Sequence, residues 1–264
     1  MKYKKDFLEA YLNEAPVPLA FERAFECLIL SQQKFERPIL DIGCGDGIFA
    51  KIVFDEKIDT GIDPLAYELE SARQYHMYDE LIETFGNDIP KPDNSYKTVF
   101  SNSVLEHIEN LDPVLTEINR VLMPGGVFYA TIPTNFFEKY SVISKVLNKV
   151  GLKGSALKYN KFFNKFWKHY HFYDKKGWAN KFEKNGFNIM HVIEYGEPKD
   201  CLFNDFWVPF TIPNYVVKKL FNRFFLFKPL RKLYSSIWVM ILKKKVKIHP
   251  NLKNGGLIFF ALTK

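Results

Sequence analysis

Apolar runs broken by turn residues divide the first half of the chain into alternating strand-like and helix-like segments. The run that begins at Ile39 reaches an acid at Asp41, passes the glycines Gly43, Gly45 and Gly47, and continues with helix-like spacing. This pattern predicts a buried strand, a tight turn and the start of a helix. Because glycine tolerates positive φ and close approach of a ligand, the turn predicts a ligand site on the free N–H groups of the helix.

Further apolar stretches predict the other strands. They lie at residues 58–62, 97–100 and 127–132, within a helix and strand pattern at 178–194, and at 257–262. Turn residues bound several of them, including a Pro-Gly pair before the stretch at 127–132. Strands that alternate with helices predict an α/β protein with a largely parallel sheet.

The glycine spacing narrows the kind of ligand. The sequence from Asp41 to Gly47 reads D-x-G-x-G-x-G rather than the G-x-G-x-x-G of dinucleotide-binding turns. It resembles motif I of the class I S-adenosylmethionine-dependent methyltransferases. The amino-acid end of that cofactor carries an ammonium that can pair with an acid, whereas a pyrophosphate would be repelled. A nicotinamide oxidoreductase is therefore disfavoured.

Later segments resemble the same family in the same order, over about residues 38–133 and again near 171–194. Asp63 lies 22 positions after Asp41, where an acid at the end of the second strand can accept the ribose hydroxyls. By resemblance, Asp88 accepts from the adenine amino group and Ile89 offers its backbone N–H and an apolar face to the ring. The cofactor-binding residues expected are Asp41, Gly43, Cys44, Gly45, Gly47, Asp63, Pro64, Asn87, Asp88, Ile89, Ser101 and Asn102.

The resemblance implies a Rossmann-like, doubly wound sheet of seven strands, mostly parallel with an antiparallel last strand. The residues of this chain add a basic, aromatic helical insertion to it. The predicted segments are an N-terminal helical cap (1–37), the S-adenosylmethionine-binding core (38–133), a substrate cover (134–173), a continuation of the core (174–196), a basic amphipathic insertion (197–253) and the last core strand (254–264). A chain of 264 residues can hold one such domain with insertions.

Cysteine usage and the N-terminus predict the compartment. The cysteines, Cys27, Cys44 and Cys201, are scattered and odd in number, which indicates neither a disulfide framework nor a zinc site. Residues 1–13 are charged and lack the apolar stretch of a secretory signal. We therefore expect a cytoplasmic protein, with peripheral contact at the inner face of the membrane as one alternative.

The net charge of +7 conceals an asymmetry. Residues 134–253 carry 24 Lys and Arg against 7 Asp and Glu, whereas the rest of the chain carries 13 against 23. A basic region on an acidic core indicates an anionic surface or an anionic substrate on one side of the molecule.

Residues 215–227 give an amphipathic pattern on a helical wheel at about 100° per residue. The apolar half holds Val216, Val217, Leu220, Phe221, Phe224, Phe225 and Phe227, the other half holds Lys218, Lys219, Asn222 and Arg223, and Leu226 is the exception. The pattern is typical of a helix in a membrane interface, and equally of a lid packed on the core. Nucleic acid is a weaker alternative, since no recognised nucleic-acid motif is present. The apolar run 237–242 is far shorter than the ~20 residues that span a bilayer.

The candidate proton acceptors are His171, His107 and His169, because imidazole titrates near neutral pH. His171 resembles a position that faces substrate in related enzymes. A subset of relatives binds a divalent metal through a Glu-x-x-Glu-His motif, but Ser103 replaces the first Glu here, so we predict no metal. Arg23 can meet an anionic substrate, although a surface salt bridge with Glu26 is the preferred interpretation.

The leading hypothesis is an S-adenosylmethionine-dependent methyltransferase acting on the oxygen or nitrogen of a small molecule, with a lipid or lipid-linked sugar preferred. A catalytically silent relative that binds the cofactor or a partner protein and an RNA methyltransferase are the alternatives. The sequence names neither the acceptor nor the oligomeric state.

Overall fold

A computed structural model describes residues 1–4, 6–221, 223–225, 228–249 and 251–264, with 228–230 described by backbone alone. Its sheet has the strand order β3-β2-β1-β4-β5-β7-β6. The strands are β1 (Ile39–Ile42), β2 (Ile58–Asp63), β3 (Tyr78–Glu83), β4 (Tyr96–Asn102), β5 (Leu122–Pro133), β6 (Asn188–Tyr195) and β7 (Leu257–Thr263). Strands β1 to β5 pair in parallel, and β7 runs antiparallel to both β5 and β6. The predicted α/β class and the antiparallel last strand are confirmed.

Helices cover both faces of the sheet, which gives two apolar clusters. One cluster joins the N-terminal helices to rings such as Phe54 and Phe100, and the other packs Trp178 and Phe182 against Phe128. The helices are α1 (Phe7–Glu14), α2 (Val17–Leu30), α3 (Ile48–Val53), α4 (Ala66–Arg73), α5 (Leu111–Val121), α6 (Asn135–Lys139), α7 (Val142–Lys149), α8 (Lys153–Phe166), α9 (Lys175–Lys184), α10 (Pro198–Trp207), α11 (Ile212–Phe221) and α12 (Lys228–Leu242).

The glycine turn after β1 is held against the end of β2. The backbone N–H groups of Gly43 and Cys44 both donate to the Ile62 carbonyl, at 2.9 Å each. Gly43 has a φ of 72° and Gly47 a φ of 75°, a conformation that side chains rarely adopt. A Cβ on Gly47 would also lie 3.0 Å from the backbone of Ala72. The turn therefore needs glycine for packing as well as for conformation.

Two helical insertions lie beyond the parallel half of the sheet. Helices α6, α7 and α8 follow β5, and helices α10, α11 and α12 lie between β6 and β7. Helix α12 packs along α1, where the Ser235 hydroxyl donates to the Asn13 amide oxygen at 2.8 Å. No helix within the described ranges combines the length and apolarity needed to cross a membrane.

The single amphipathic helix predicted over 215–227 is wrong. Helix α11 ends at Phe221, and Phe224 folds back so that its ring lies 5.4 Å from that of Tyr215. The Asn214 amide donates to the Phe224 carbonyl at 3.3 Å, which fixes this reversal. Asn222, Leu226 and Phe227, which the wheel included, lie outside the described residues.

The orientation of α11 also differs from the wheel. Val216 and Leu220, on the predicted apolar half, are 53% and 69% exposed. Lys218, assigned to the polar half, points inward, and its Nζ lies 2.6 Å from Asp46 and 3.6 Å from Glu68. Tertiary charge pairing thus outweighs the apolar pattern in setting which side of α11 faces the domain.

Candidate active site

Three adjoining cavities lie along the edge where the parallel strands end. The loop cavity, about 570 Å³, is lined by segments that follow β1, β2, β3 and β4. The turn cavity, about 210 Å³, lies beside the glycine turn, and the cover cavity, about 180 Å³, lies under α6, α8 and α11. Val104 lines the loop and turn cavities, Ser103 the turn and cover cavities, and His107 the loop and cover cavities. The three form one cleft around the residues that follow β4.

Asp41 supplies a buried carboxyl group to the turn cavity. The Tyr78 hydroxyl donates to its Oδ2 at 2.7 Å. Burial raises the pKa of Asp41 to about 7, against the lowering effect of the tyrosine hydrogen bond. An ammonium at this position would pair with the ionised carboxylate and offset its desolvation.

Asp63 lines the loop cavity and also shapes the turn. Its Oδ2 accepts from the Gly45 N–H at 3.0 Å, and its Oδ1 accepts from the Leu65 N–H at 2.9 Å. Burial raises the pKa of this carboxyl. A carboxylate has about four acceptor positions, so two backbone bonds leave capacity for a hydroxyl of a ligand.

Some predicted cofactor residues line the cleft and others do not. Those in its lining are Asp41, Gly43, Cys44, Asp63, Pro64, Asn87 and Asn102. Those outside the lining of the cavities found in the described residues are Gly45, Gly47, Asp88, Ile89 and Ser101.

Three of the five residues outside the lining have identifiable structural environments. Ser101 is buried and its hydroxyl donates to the Ile42 carbonyl at 3.2 Å, which ties β4 to β1. The Ile89 N–H, expected to face adenine, instead donates to Glu117 Oε1 at 2.9 Å. The Asp88 side chain is exposed to solvent. Phe85, which the sequence analysis missed, lines the loop cavity beside Asn87.

A buried ionic group connects α2 to the end of β4. Arg23 Nη1 lies 2.6 Å from Glu26 Oε2, and the Glu26 side chain is fully buried. Glu26 also accepts from the Asn102 amide and the Ser103 hydroxyl, both at 2.8 Å. The sequence analysis predicted the Arg23–Glu26 pair, but it placed the pair on the surface. This placement is wrong, because Arg23 lines both the turn and cover cavities. A single helical turn of sequence cannot reveal that this face meets β4.

His107 stands where the loop and cover cavities meet. Its Nδ1 lies 3.2 Å from the Lys168 carbonyl; because a carbonyl only accepts, Nδ1 carries the proton and Nε2 is an acceptor. Nε2 lies 3.7 Å from Glu106 Oε1. Burial lowers the pKa of His107, so the neutral ring that can accept a proton prevails at neutral pH.

His169 joins His107 in the cover cavity, with the two ring centroids 5.1 Å apart. Burial, and next the neighbouring imidazole, lower the pKa of His169 to about 4. Ligand atoms of Glu106, His107 and His169 lie within 4.8 Å of one another, so these residues can hold a metal ion. The absence of a metal, expected from Ser103, stays a prediction.

His171, the first-ranked catalytic candidate, lies apart from the cleft. Its Nε2 lies 2.9 Å from the Ile108 carbonyl and its Nδ1 3.2 Å from the Tyr173 hydroxyl. The ring packs against Trp178, with centroids 6.2 Å apart. Both nitrogens are engaged within the fold, and His171 is not in the lining of the described cavities. The geometry favours a structural part for it and leaves His107 and His169 as the candidate proton acceptors in the cleft.

Several cleft residues carry no local sequence signal. Glu22 and Asn204 line the cover cavity, and Lys218 and Phe224 line the turn cavity. They come from an N-terminal helix and from the second insertion, far from the motifs in sequence. For Glu22 alone, the sequence gives a weak indication, because charged residues of α2 stand among the apolar residues of its buried face.

Comparison with known proteins gives a consistent family. The family model described as "Methyltransferase domain" matches residues 16–192, more than half of the chain. A ubiquinone biosynthesis O-methyltransferase of Vibrio atlanticus is 30% identical over 109 residues, which are 39% of this chain and 46% of that protein. A sterol 24-C-methyltransferase of Neurospora crassa is 31% identical over 119 residues, 41% of this chain and 31% of that protein.

The chain therefore spans less than half the length of these curated relatives. Among solved structures, an S-adenosylmethionine-dependent methyltransferase of Thermotoga maritima superposes with a TM-score of 0.55. Identity is 15%, and the match covers 93% of this chain and 89% of that one, so it supports the fold alone. With the family match, the glycine turn and the strand order taken together, the chain belongs to the class I S-adenosylmethionine-dependent methyltransferases, in which S-adenosylmethionine is the co-substrate.

Proposed function

We propose that this protein transfers the methyl group of S-adenosylmethionine to a nitrogen or oxygen atom of a small acceptor. The observation that carries the proposal is the continuity of the cleft. The loop cavity receives adenosine, the turn cavity the methionine end, and the cover cavity the acceptor. Ser103, Val104 and His107, each shared by two cavities, surround the place where donor and acceptor would meet.

The charges of the turn cavity suit the amino-acid end of the cofactor. Asp41 pairs with the ammonium, and Lys218 is a cation in that lining that can meet the carboxylate. Asp63 accepts from the ribose hydroxyls with the acceptor capacity that its backbone bonds leave. Phe85, on the loop-cavity wall, offers an apolar face to adenine.

Methyl transfer is an in-line displacement at carbon, so holding donor and acceptor in line contributes much of the rate. His107 is the group we propose as proton acceptor, because its Nε2 is unprotonated and it borders both the donor and acceptor cavities. His169 packs beside it and keeps a neutral ring under the cover.

A lipid or lipid-linked sugar is the acceptor class we favour. Phe137, Phe163, Trp167 and Leu257 give the cover cavity a largely apolar wall. Two relatives are named for ubiquinone biosynthesis and for sterol methylation, and such apolar compounds would suit this wall.

We also propose peripheral contact with an anionic membrane, which the outer surface of the same elements would favour. Phe206, Phe210, Val216 and Leu220 are each more than half exposed on α10, the turn after it and α11. The segments around them carry the basic excess of residues 134–253. Apolar side chains flanked by lysines favour an anionic bilayer, which would bring a lipid-borne acceptor to the cover cavity.

Calorimetric titration with S-adenosylhomocysteine tests the cofactor assignment. We expect saturable binding by the wild type and at least a tenfold loss in Asp63→Asn, which replaces one acceptor oxygen by an amide. Asp55→Asn, the same change at an exposed position, should bind like wild type. A wild-type protein that shows no saturable binding, or equal binding by all three, would remove the proposal.

A further inference from the structure

Two buried acceptor atoms in the cover cavity have no donor. Glu106 is 2% exposed and Asn204 is 7% exposed. Glu106 Oε2 and Asn204 Oδ1 accept no hydrogen bond from any residue that the structure describes. A buried acceptor without a donor is destabilising, because it has lost its hydrogen bonds to water. Both residues line the cavity that the proposed function gives to the acceptor, so a bound molecule is placed to supply the missing donors.

More acidic than basic side chains line the same cavity. Glu22, Glu106 and Asp205 line it, and Arg23 is the cation among its described lining residues. The Arg23 guanidinium is already engaged, 2.6 Å from Glu26 and 3.9 Å from Glu22. The described lining residues include no Lys and no other Arg, so three carboxyl groups face one guanidinium that is already engaged.

The histidines of the cavity add further acceptors. His107 Nδ1 faces the Lys168 carbonyl at 3.2 Å, which leaves its Nε2 as an acceptor. The His169 ring lies beside it, with the two ring centroids 5.1 Å apart. The interior therefore calls for a ligand that is cationic and rich in N–H groups, beneath an outer surface that is basic.

Resting on the proposed function, we infer that the methyl acceptor is an amine: an ammonium group on an apolar body, with its N–H groups donating to Glu106 Oε2 and Asn204 Oδ1. A hydroxyl group has one hydrogen to donate, whereas an ammonium has three. An alcohol would leave at least one of the two buried acceptors without a donor. The apolar wall formed by Phe137, Phe163 and Trp167 contacts the rest of the molecule.

The reaction then balances within the cavity. The bound ammonium gives one proton to His107 Nε2, which leaves a neutral amine. The nitrogen lone pair forms a bond to the methyl carbon as the carbon–sulfur bond breaks, and that bonding pair stays on sulfur. The products are S-adenosylhomocysteine and a methylammonium ion, which still carries two N–H donors for the same acceptors.

A pair of isosteric probes tests this inference. 2-Phenylethylamine and 2-phenylethanol share a carbon skeleton and differ in the terminal group. Each is titrated calorimetrically into the full chain saturated with S-adenosylhomocysteine, with a chelator present so that no metal ion competes for Glu106. We expect the amine to bind at least tenfold more tightly than the alcohol.

Substitutions in the cover cavity test which side chains cause the preference for the amine. Glu106→Gln should weaken the amine about tenfold and leave the alcohol within threefold of wild type, and Asn204→Leu should act in the same direction. Glu183→Gln removes an acid from an exposed position on α9 and should change neither. The wild-type probe comparison does not depend on any variant folding.

Each outcome decides something. Equal affinity for amine and alcohol, or amine binding that survives both cavity variants, overturns the inference while S-adenosylhomocysteine binding leaves the proposed function standing. Amine binding that requires added Mg²⁺ or Zn²⁺ also overturns it. Failure to bind S-adenosylhomocysteine at all would contradict the proposed function itself.

Discussion

At the scale of single residues, the acid in front of the glycine turn is the clearest case of a group held in readiness for a ligand. Asp41 is buried, takes one hydrogen bond from Tyr78, and faces the turn cavity. Burial raises its pKa to about 7, so without a cation nearby the fold favours the protonated form. The ammonium of the cofactor would reverse that preference.

Asp41→Asn should change how stability depends on pH. An acid whose pKa is raised on folding contributes stability below its unfolded pKa of about 3.9 and loses it as the pH rises through the folded value. With a folded pKa of about 7, this loss falls between about pH 4 and pH 8. In the absence of cofactor, the free energy of unfolding of the variant should fall less across that range than that of the wild type. The difference should be on the order of 1–4 kcal/mol, since each pKa unit corresponds to about 1.4 kcal/mol.

Urea unfolding at pH 5 and pH 8 measures this difference. Asp55→Asn is the control, since it lies on the surface and should follow wild type at both values. Identical pH profiles for Asp41→Asn and wild type would mean that Asp41 is ionised in the unliganded fold.

His107 is the second residue whose environment points to a chemical task. His107→Gln should lower kcat by about 10²–10³, within the range that a positioned general base contributes, and should leave the Kd for S-adenosylhomocysteine within about threefold. The readout is S-adenosylhomocysteine release in an extract that supplies the acceptor. His191→Gln, at an exposed position on β6, should retain full activity. A variant at position 107 with wild-type turnover would exclude the proposed proton transfer.

At the scale of elements, α11 has two sides with different tasks. On its inner side, Lys218 forms ion pairs with Asp46 and Glu68 and lines the turn cavity. Its outer side exposes Val216 and Leu220. The charge pairing anchors a helix that otherwise buries little, and it ties the second insertion to the glycine turn.

Lys218→Met should loosen this helix. The substitution keeps an unbranched side chain, one heavy atom shorter, but leaves Asp46 and Glu68 without their cation. Removing one partner of a partly buried pair is destabilising. Amide hydrogens of residues 212–221 should exchange at least tenfold faster by mass spectrometry. Lys219→Met, at the exposed next position, should exchange like wild type. Equal protection in both variants would show that other contacts hold α11.

At the scale of the whole molecule, the acidic core and the basic insertions divide the surface by charge. Residues 134–253 hold 24 of the 37 Lys and Arg residues. The same insertions expose large apolar side chains around the cover cavity, from Phe162 and Phe166 on α8 to Leu220 on α11. The insertions therefore combine a basic charge excess with exposed apolar side chains.

The basic excess and the exposed apolar side chains of the insertions predict that the protein floats with anionic vesicles. The protein should float with phosphatidylglycerol-containing vesicles at low salt and much less at about 1 M salt, where the Debye length is about 3 Å. Leu220→Ser should reduce the bound fraction severalfold, whereas Met190→Ser, an exposed apolar position on β6, should not. Failure to float at low salt would favour an acceptor taken from solution.

Prediction from sequence is strongest where a feature is written in consecutive residues. The strand, turn and helix start around Gly43 to Gly47 form as predicted, and Asp41, Gly43 and Asp63 line the cleft. The cofactor-binding roles of these residues stay predictions. Ile89 was expected to face adenine, yet its N–H bonds Glu117, a partner 28 positions away that no local pattern reveals. His171 was expected to face substrate, yet its Nε2 lies 2.9 Å from the Ile108 carbonyl, a partner that no local pattern reveals either.

The sequence by itself determined the α/β class, the cofactor turn and the acids beside it, since hydrophobic periodicity and glycine conformation act over a few residues. Only the tertiary structure decided which side of α11 faces inward, that Arg23 and Glu26 are buried, and that Glu22, Glu106 and Asn204 share a cavity with His107 and His169. Burial, and the shifts in pKa that it causes, depend on what packs around a group from distant parts of the chain. The proposed acceptor site consists of such groups, which the fold brings together from distant parts of the chain.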